Sequence, residues 1–495
     1  MRFVPLWTLA GTAAVLCGQQ PDVVQFPFHY VATELDSGYV DNADASPRVL
    51  YAGHVRLAGA LQIRLYFDRT NLPEGTRLRL TSVADGAIEI FDGRSLADYQ
   101  NYSSWFNGDA VAVELLGGAR TRANRVRVVG ADAGQGIVQT PSTICGPTDD
   151  RVPSTDPRQG RQYPTGCTSW LIDLHTVVTA GHCTASTAQQ VHFNVPPSSS
   201  TGTIVLPPPE HQYRYDTAAV QRLSAGVGQD WTVASTLRNA TTGLYAGQRQ
   251  GGYYELVTPP AFAGGQVIRI TGYGTDTDNR DRSQTQQTHT GPRVNVTTAN
   301  AVGYQTDTTG GNSGSPVILE STGQAIGVHT HGGCSSSGTG NNWGTAFNRP
   351  DWIAAVASIR ALKHPGAYAV FGDGCGSGTP PSLTNDGFPE IGRSMSAVMT
   401  NLPALAPAVF VIGDRYTSPI DLTVVRMPGC FLYTSSLAAP VVQADGTGEA
   451  RLTYTVPNEV TLVGGQFTVQ GAVQDPAANA AGVAMSNAGE STIGQ

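Results

Sequence analysis
Between Val49 and Val129 the chain alternates apolar and polar residues. The pattern runs through Arg48–Tyr51, Leu61–Phe67, Arg77–Leu80, Ala87–Phe91, Val111–Leu116 and Arg125–Val129. Period two, interrupted by Gly, Asp and Asn, predicts short strands joined by turns, the signature of a β-sandwich of about a hundred residues. A polar linker is expected around Ala131 to Arg161. The alternation returns in Ala408–Ile412, Leu422–Val425, Arg451–Val456 and Gln466–Gln470, which predicts a second small β-domain from Ser382 onward. A Gly/Pro-rich stretch, Gly372 to Pro381, has linker composition and precedes it. One helix stands out, beginning Arg349-Pro-Asp-Trp. Pro350 and Asp351 suit a first helical turn, and the reading places Trp352, Ile353, Val356 and Ile359 on one face.

Composition narrows this picture. There are 58 glycines and 31 prolines in 495 residues, so turns are frequent and long helices few. At about 150 residues per domain the length suggests roughly three domains. A 40% hydrophobic content suffices for packed cores and argues against wholesale disorder. The net charge is −8, Lys363 is the single lysine, and no basic cluster appears, so nucleic acid is not an expected partner. Arg2 followed by the apolar run Phe3 to Cys17 reads as a secretory signal, with cleavage after Gly18. Lipid attachment at Cys17 is the rival reading, and Leu16 before it disfavours that. No later segment is long and apolar enough to span a bilayer. Six cysteines beyond Cys17, an even number in an exported chain, point to disulfides.

Three segments in the middle of the chain carry chemistry: Val177-Val-Thr-Ala-Gly-His182-Cys183, Gln229-Asp230-Trp231, and Asp307-Thr-Thr-Gly-Gly-Asn-Ser313-Gly-Ser-Pro. Serine nucleophilic catalysis needs a hydroxyl, a base to take its proton, a carboxylate to hold the imidazolium, and amides aimed at the oxyanion. Each part is present. A Gly-Asn-Ser-Gly alone is usually a turn, and a lone histidine is usually structural; the combination carries the signal. Together the segments resemble the trypsin-like serine proteases of the chymotrypsin fold, whose triad follows the order His, Asp, Ser. The resemblance covers roughly residues 144 to 366. It implies that Ser313 attacks the scissile carbonyl, His182 is general base and then acid, Asp230 orients His182, and the N–H groups of Gly311 and Ser313 form the oxyanion hole. Asp216, in Tyr215-Asp216-Thr, is a rival for the third role; Asp-Trp followed by small and apolar residues is the family pattern and favours Asp230.

Asn312 replaces the Asp that trypsin carries before its nucleophile, so the ion pair with a newly made N-terminus cannot form. The loop sequence is similar to that of bacterial glutamyl endopeptidases, and the cysteine placement to that of lysyl endopeptidases. This resemblance implies the pairs Cys145–Cys334, Cys167–Cys183 and Cys375–Cys430. For the S1 pocket it leaves alternatives open. Asp307, six residues before Ser313, suggests a basic P1 residue. His329 in Ile326-Gly-Val-His329, with Thr308, suggests Glu or Asp at P1, the reading preferred here, and a broad pocket is the third possibility.

His329, His331 and Cys334 have H-x-H-x-x-C spacing, but zinc would need a reduced Cys334, so no metal is assigned. Asp276-Thr-Asp278-Asn279-Arg-Asp281 matches a calcium loop poorly, with Arg280 where an oxygen ligand belongs. The expectation is therefore an all-β chain with a chymotrypsin-like double β-barrel and a C-terminal helix, flanked by N- and C-terminal β-sandwich-like domains. The expected divisions are a signal peptide (1–18), an N-terminal propeptide or accessory β-domain with linker (19–140), the protease domain (141–366), a linker (367–380) and a C-terminal β-domain (381–495). The expected activity is that of a secreted, monomeric serine endopeptidase acting on protein or peptide substrates, with no cofactor. A non-catalytic binding protein on the same scaffold, or a protease acting only in its own maturation, is the alternative.

Overall fold
The structure, a computed structural model, describes residues 24–136, 142–184 and 189–495. The expected signal peptide and Cys17 lie outside them. The chain is mostly β and divides into two compact units, Met1–Arg360 and Ala361–Gln495. No helix among the described residues is long and apolar enough to cross a membrane.

The first unit opens with two four-stranded antiparallel sheets. One orders its strands Phe28–Asp36, Arg127–Gly134, Gln62–Phe67, Phe106–Asn107; the other Arg48–Arg56, Ala110–Gly117, Arg77–Ser82, Ile88–Phe91. They enclose a shared core that includes Ile63, Leu65, Leu78, Leu80, Val113 and Leu115. Alternation does its work in Arg77–Ser82, where every second side chain is buried. The strand Phe28–Asp36 precedes the region where the sequence pattern begins; only Leu35 on it is buried, so its alternation is weak. The expected polar linker is more structured than its composition suggests. Arg127–Gly134 extends into it as a strand, and Gln159–Tyr163 at its far end is buried throughout, because that segment is the first strand of a barrel.

Two six-stranded barrels follow. The first closes in the order Gln159–Tyr163, Thr168–Leu171, Thr176–Thr179, Asp230–Thr236, Gln212–Ser224, Gln190–His192. The second runs Gln287–Val294, Val267–Gly272, Pro316–Leu319, Gln324–His331, Asn342–Ala346, Ala301–Tyr304, and closes where Arg293 and Val294 pair with Tyr304 and Gly303. Each has its own apolar filling, around Val177, Val191 and Phe193 in the first and Ile268, Ile270 and Ile326 in the second. A further cluster joins them: Trp170, Val178 and Val233 meet Ile318 and Val328, and the helix Pro350–Arg360 packs onto it through Trp352, Val356 and Ile359. Ala355 completes the buried helical face, and Ile353 is 42% exposed. One residue on from Trp352 is about 100° around the helix, so Ile353 cannot share the stripe formed at spacings of three and four.

The second unit holds a five-stranded sheet, a three-stranded sheet and a two-stranded ribbon. Its core gathers Leu383, Met399, Phe410, Val469 and Val473, and a disulfide joins Cys375 to Cys430.

Candidate active site
His182 stands on a single 3-10 turn, Gly181–Thr184, directly after the first-barrel strand Thr176–Thr179. Glycine is required just before it, because a Cβ on Gly181 would lie 1.8 Å from the Leu223 carbonyl oxygen and 2.8 Å from Asp230 Oδ1. Asp230 begins the strand Asp230–Thr236, and its side chain is 2% exposed. Its carboxylate holds the histidine at two points. Oδ2 is 2.6 Å from His182 Nδ1, and Oδ1 accepts the His182 backbone N–H at 3.1 Å. Asp230 is itself seated by its own N–H donating to Thr345 Oγ1. Asp216, the rival acid, accepts the N–H of Ala218 within its own turn. His182 Nε2 has no hydrogen-bond partner among the described residues, so the ring presents an unoccupied base nitrogen.

Ser313 lies on the turn between Thr308–Thr309 and Pro316–Leu319, where the two barrels meet. Its carbonyl accepts the N–H of Thr168 in the first barrel at 2.9 Å. The next residue, Gly314, donates its N–H to the His329 carbonyl in the second barrel at 2.8 Å. Gly311 and Gly314 have φ of +102° and +90°, backbone that favours glycine. A Cβ on Gly311 would also stand 2.4 Å from the Tyr273 carbonyl oxygen. Asn312 N–H is used within the turn, by the Thr309 carbonyl. The N–H groups of Gly311 and Ser313 make no hydrogen bond among the described residues. The disulfide Cys167–Cys183 fastens the histidine turn to the strand whose Thr168 holds Ser313.

His329 is buried, and its Nδ1 is 2.6 Å from the Tyr304 hydroxyl. Burial pushes the imidazole down to about 3, and His331 and His182 nearby add to the shift. Thr308 Oγ1 accepts from Asn342 Nδ2 at 2.9 Å, and Asn342 is the cross-strand partner of Tyr304, so these groups form one polar cluster. Asn342 also accepts the N–H groups of Gly333 and Cys334, tying the cluster to the loop after the His329 strand. His331 lies beside the catalytic candidates, its ring centre 6.3 Å from that of His182, with burial lowering its pKa.

Asp307 is oriented elsewhere. Its side chain is fully buried, and its carboxylate accepts the N–H groups of Cys145 at 2.8 Å and Asp150 at 2.9 Å. Cys145 is joined to Cys334, so no free thiolate accompanies His329 and His331. Asp276, in the loosely calcium-like segment, caps its own turn by accepting the N–H groups of Asp278 and Asn279. Tyr304, Asn342 and Thr345 had no signal in the sequence; they belong to strands whose pairing places them beside the motif residues.

Residues 150–353 match the family model Trypsin, and this part of the chain is similar to trypsin-like serine proteases, a glutamyl endopeptidase among them. The glutamyl endopeptidase of Bacillus licheniformis is 28% identical over 194 residues, which cover 37% of this chain and 56% of that protein. The chain thus spans about half the length of this curated relative. Among solved structures, a Glu endopeptidase in complex with MPD is 19% identical over 44% of this chain and all of its own, with a TM-score of 0.35. A thermostable serine protease, AL20, from an extremophilic microorganism is 16% identical over 41% of this chain and 95% of its own, with a TM-score of 0.31.

Proposed function
We propose that the protein is a secreted serine endopeptidase that hydrolyses peptide bonds through an acyl-enzyme on Ser313. The observation that carries this reading is the His182–Asp230 pair beside a glycine turn whose two outer amides have no partner among the described residues. Ser313 Oγ attacks the carbonyl carbon of the scissile bond as His182 Nε2 takes its proton. Asp230, on Nδ1, keeps that nitrogen protonated in the resting ring and stabilises the imidazolium that forms. The N–H groups of Gly311 and Ser313 stabilise the tetrahedral oxyanion. His182 then protonates the leaving amine, and water repeats the sequence in reverse to release the acid. Three disulfides accord with an oxidising, extracytoplasmic location.

For the P1 residue the proposal is Glu or Asp. The Asp307 carboxylate is fully buried, engaged by two amides and 3.5 Å from His289 Nδ1, which argues against its reaching a basic P1 side chain. His329 is held at Nδ1 by Tyr304, so a Tyr304 hydroxyl donating there leaves Nε2 as the protonated, donating nitrogen. The name of the Bacillus licheniformis relative accords with an acidic P1. The test is a mixed peptide library incubated with the purified protein and read by mass spectrometry, with Ser313→Ala as control. The expected result is cuts after Glu or Asp that vanish in the control. Acidic-P1 cleavage that survives in His329→Val would remove His329 from the pocket, and no cuts by the wild-type protein would leave a binding protein on a protease scaffold.

A further inference from the structure
Arg151 has no part in the chemistry described above, yet its guanidinium sits against the turn that carries Ser313. Its side chain is 1% exposed. Nη1 donates to Thr309 Oγ1 at 2.8 Å and reaches Asn312 Oδ1 at 3.5 Å. Nη2 donates to the Thr275 carbonyl at 2.9 Å. Nε and Nη2 grip the Asp149 carboxylate at 2.9 and 2.6 Å. The turn is closed on itself beneath this group: Thr309 N–H donates to Asn312 Oδ1, and Asn312 N–H to the Thr309 carbonyl, each at 3.0 Å. Space around the cluster is fully used. A Cβ on Gly274 would stand 2.3 Å from both Arg151 Nη1 and Asn312 Oδ1. The segment that brings Arg151 here is anchored at the other end of the same loop, where Asp307 accepts the N–H groups of Cys145 and Asp150.

Thr309 and Asn312 are themselves uncharged, while Asp307 at the start of the loop is turned to the Cys145 and Asp150 amides. What meets them is the buried Arg151 guanidinium, paired with Asp149, which can direct several donors at once in fixed geometry. We infer that Arg151 is a positioning residue that holds Thr309–Ser313 so that the Gly311 and Ser313 amides point to one place. An internal side chain then assembles the oxyanion donors, and no new chain end has to be created by cleavage. The inference rests on the serine-endopeptidase reading for its catalytic consequence and on the hydrogen bonds alone for its structural one.

The experiment compares the full chain as wild type, Arg151→Met and Arg151→Lys. Hydrogen exchange is followed on peptides covering residues 307–316, alongside steady-state kinetics on a peptide substrate and labelling of Ser313 by a fluorophosphonate. In Arg151→Met, exchange should accelerate in that segment and not in the rest of the barrels. Its kcat should fall roughly 10- to 100-fold, less than or comparable to the loss of an oxyanion donor, with KM within about threefold. Arg151→Lys, which keeps the charge but not the fork, should recover part of kcat, and it remains informative where Arg151→Met does not fold. The uncut wild-type chain should react with the fluorophosphonate. Unchanged exchange and unchanged kcat in both variants would overturn the role of Arg151. Labelling only after cleavage of the chain would overturn the claim that no new end is needed. A wild-type protein that neither cleaves nor labels would sink the protease reading, while the exchange comparison would still decide whether Arg151 holds the loop.

Discussion

A carboxylate that grips one histidine at both its ring nitrogen and its backbone amide sets position and tautomer together. Asp230 does this to His182 with two different oxygens. Asp230→Asn should preserve the shape and reverse the preferred tautomer. The expected outcome is a loss in kcat of about 10⁴-fold, the size such a change has in a Ser-His-Asp triad, with little change in KM or melting temperature. Single-turnover kinetics beside a thermal melt would separate this from simple unfolding. His329 gives a second residue-scale prediction. Burial lowers its imidazole to about 3, whereas an unfolded histidine takes its proton near 6.5. Between those values the unfolded chain binds more protons, so this group makes stability fall as pH drops from 6.5 and flatten near 3. Denaturant midpoints measured from pH 7 to 4 should decline less steeply in His329→Gln than in the wild type. Equal slopes would mean that His329 titrates alike in both states.

Elements were legible in proportion to how purely local their causes are. The histidine turn, the Asp230 strand and the serine turn carry their chemistry in consecutive residues, so the His182–Asp230 hydrogen bond joins two segments that already stand out along the chain. Tyr304, Asn342 and Arg151 act through pairing between distant segments, and nothing in their neighbours along the chain marks them. The stretch from Ala131 to Arg161 looked like a linker because its residues are polar. In the structure Gln159, Arg161 and Gln162 are fully buried polar side chains, and Arg161 Nη1 donates to the Gln284 carbonyl; hydrogen bonds from remote segments allow polar residues to build a barrel wall. In the helix Pro350–Arg360, the apolar spacing locates the element, and the 100° step per residue turns Ile353 away from its inner face. This distinction is measurable. Trp352→Ala, which empties a site packed against Trp231 and Phe347, should cost about 3–5 kcal/mol, whereas Ile353→Ser should change stability by no more than about 0.5 kcal/mol. Comparable losses in chemical denaturation would show that the helix packs differently.

At the scale of the molecule, the N-terminal sandwich and the first barrel share one compact unit. Val24, Phe26 and Trp105 form an apolar cluster with Tyr163, Ile204 and Leu206 of the barrel region. Polar contacts surround it. Trp105 N–H donates to Gln212 Oε1, Gln212 Nε2 donates to the Trp105 carbonyl, and Arg214 donates to the Tyr99 carbonyl. Removing the sandwich would uncover these groups together. Glu89 allows the contact to be probed without a deletion. Its carboxyl is buried, accepts the N–H and hydroxyl of Ser104 beside Trp105, and lies near Arg214. Burial raises it to about 7 against the Ser104 hydrogen bonds and the Arg214 charge, which act the other way. The unfolded chain releases this proton near 4.5, so from about 4.5 to 7 the folded state binds more protons and stability falls as pH rises. Glu89→Gln should remove that fall and gain about 2–3 kcal/mol at pH 8 while changing little at pH 5. Protection of residues 204–214 in hydrogen exchange should increase in the same pH range, because the relieved group adjoins the contact. A wild-type protein equally stable at pH 5 and 8, with exchange at residues 204–214 unaltered by the substitution, would place Glu89 outside the energetics of sandwich–barrel association.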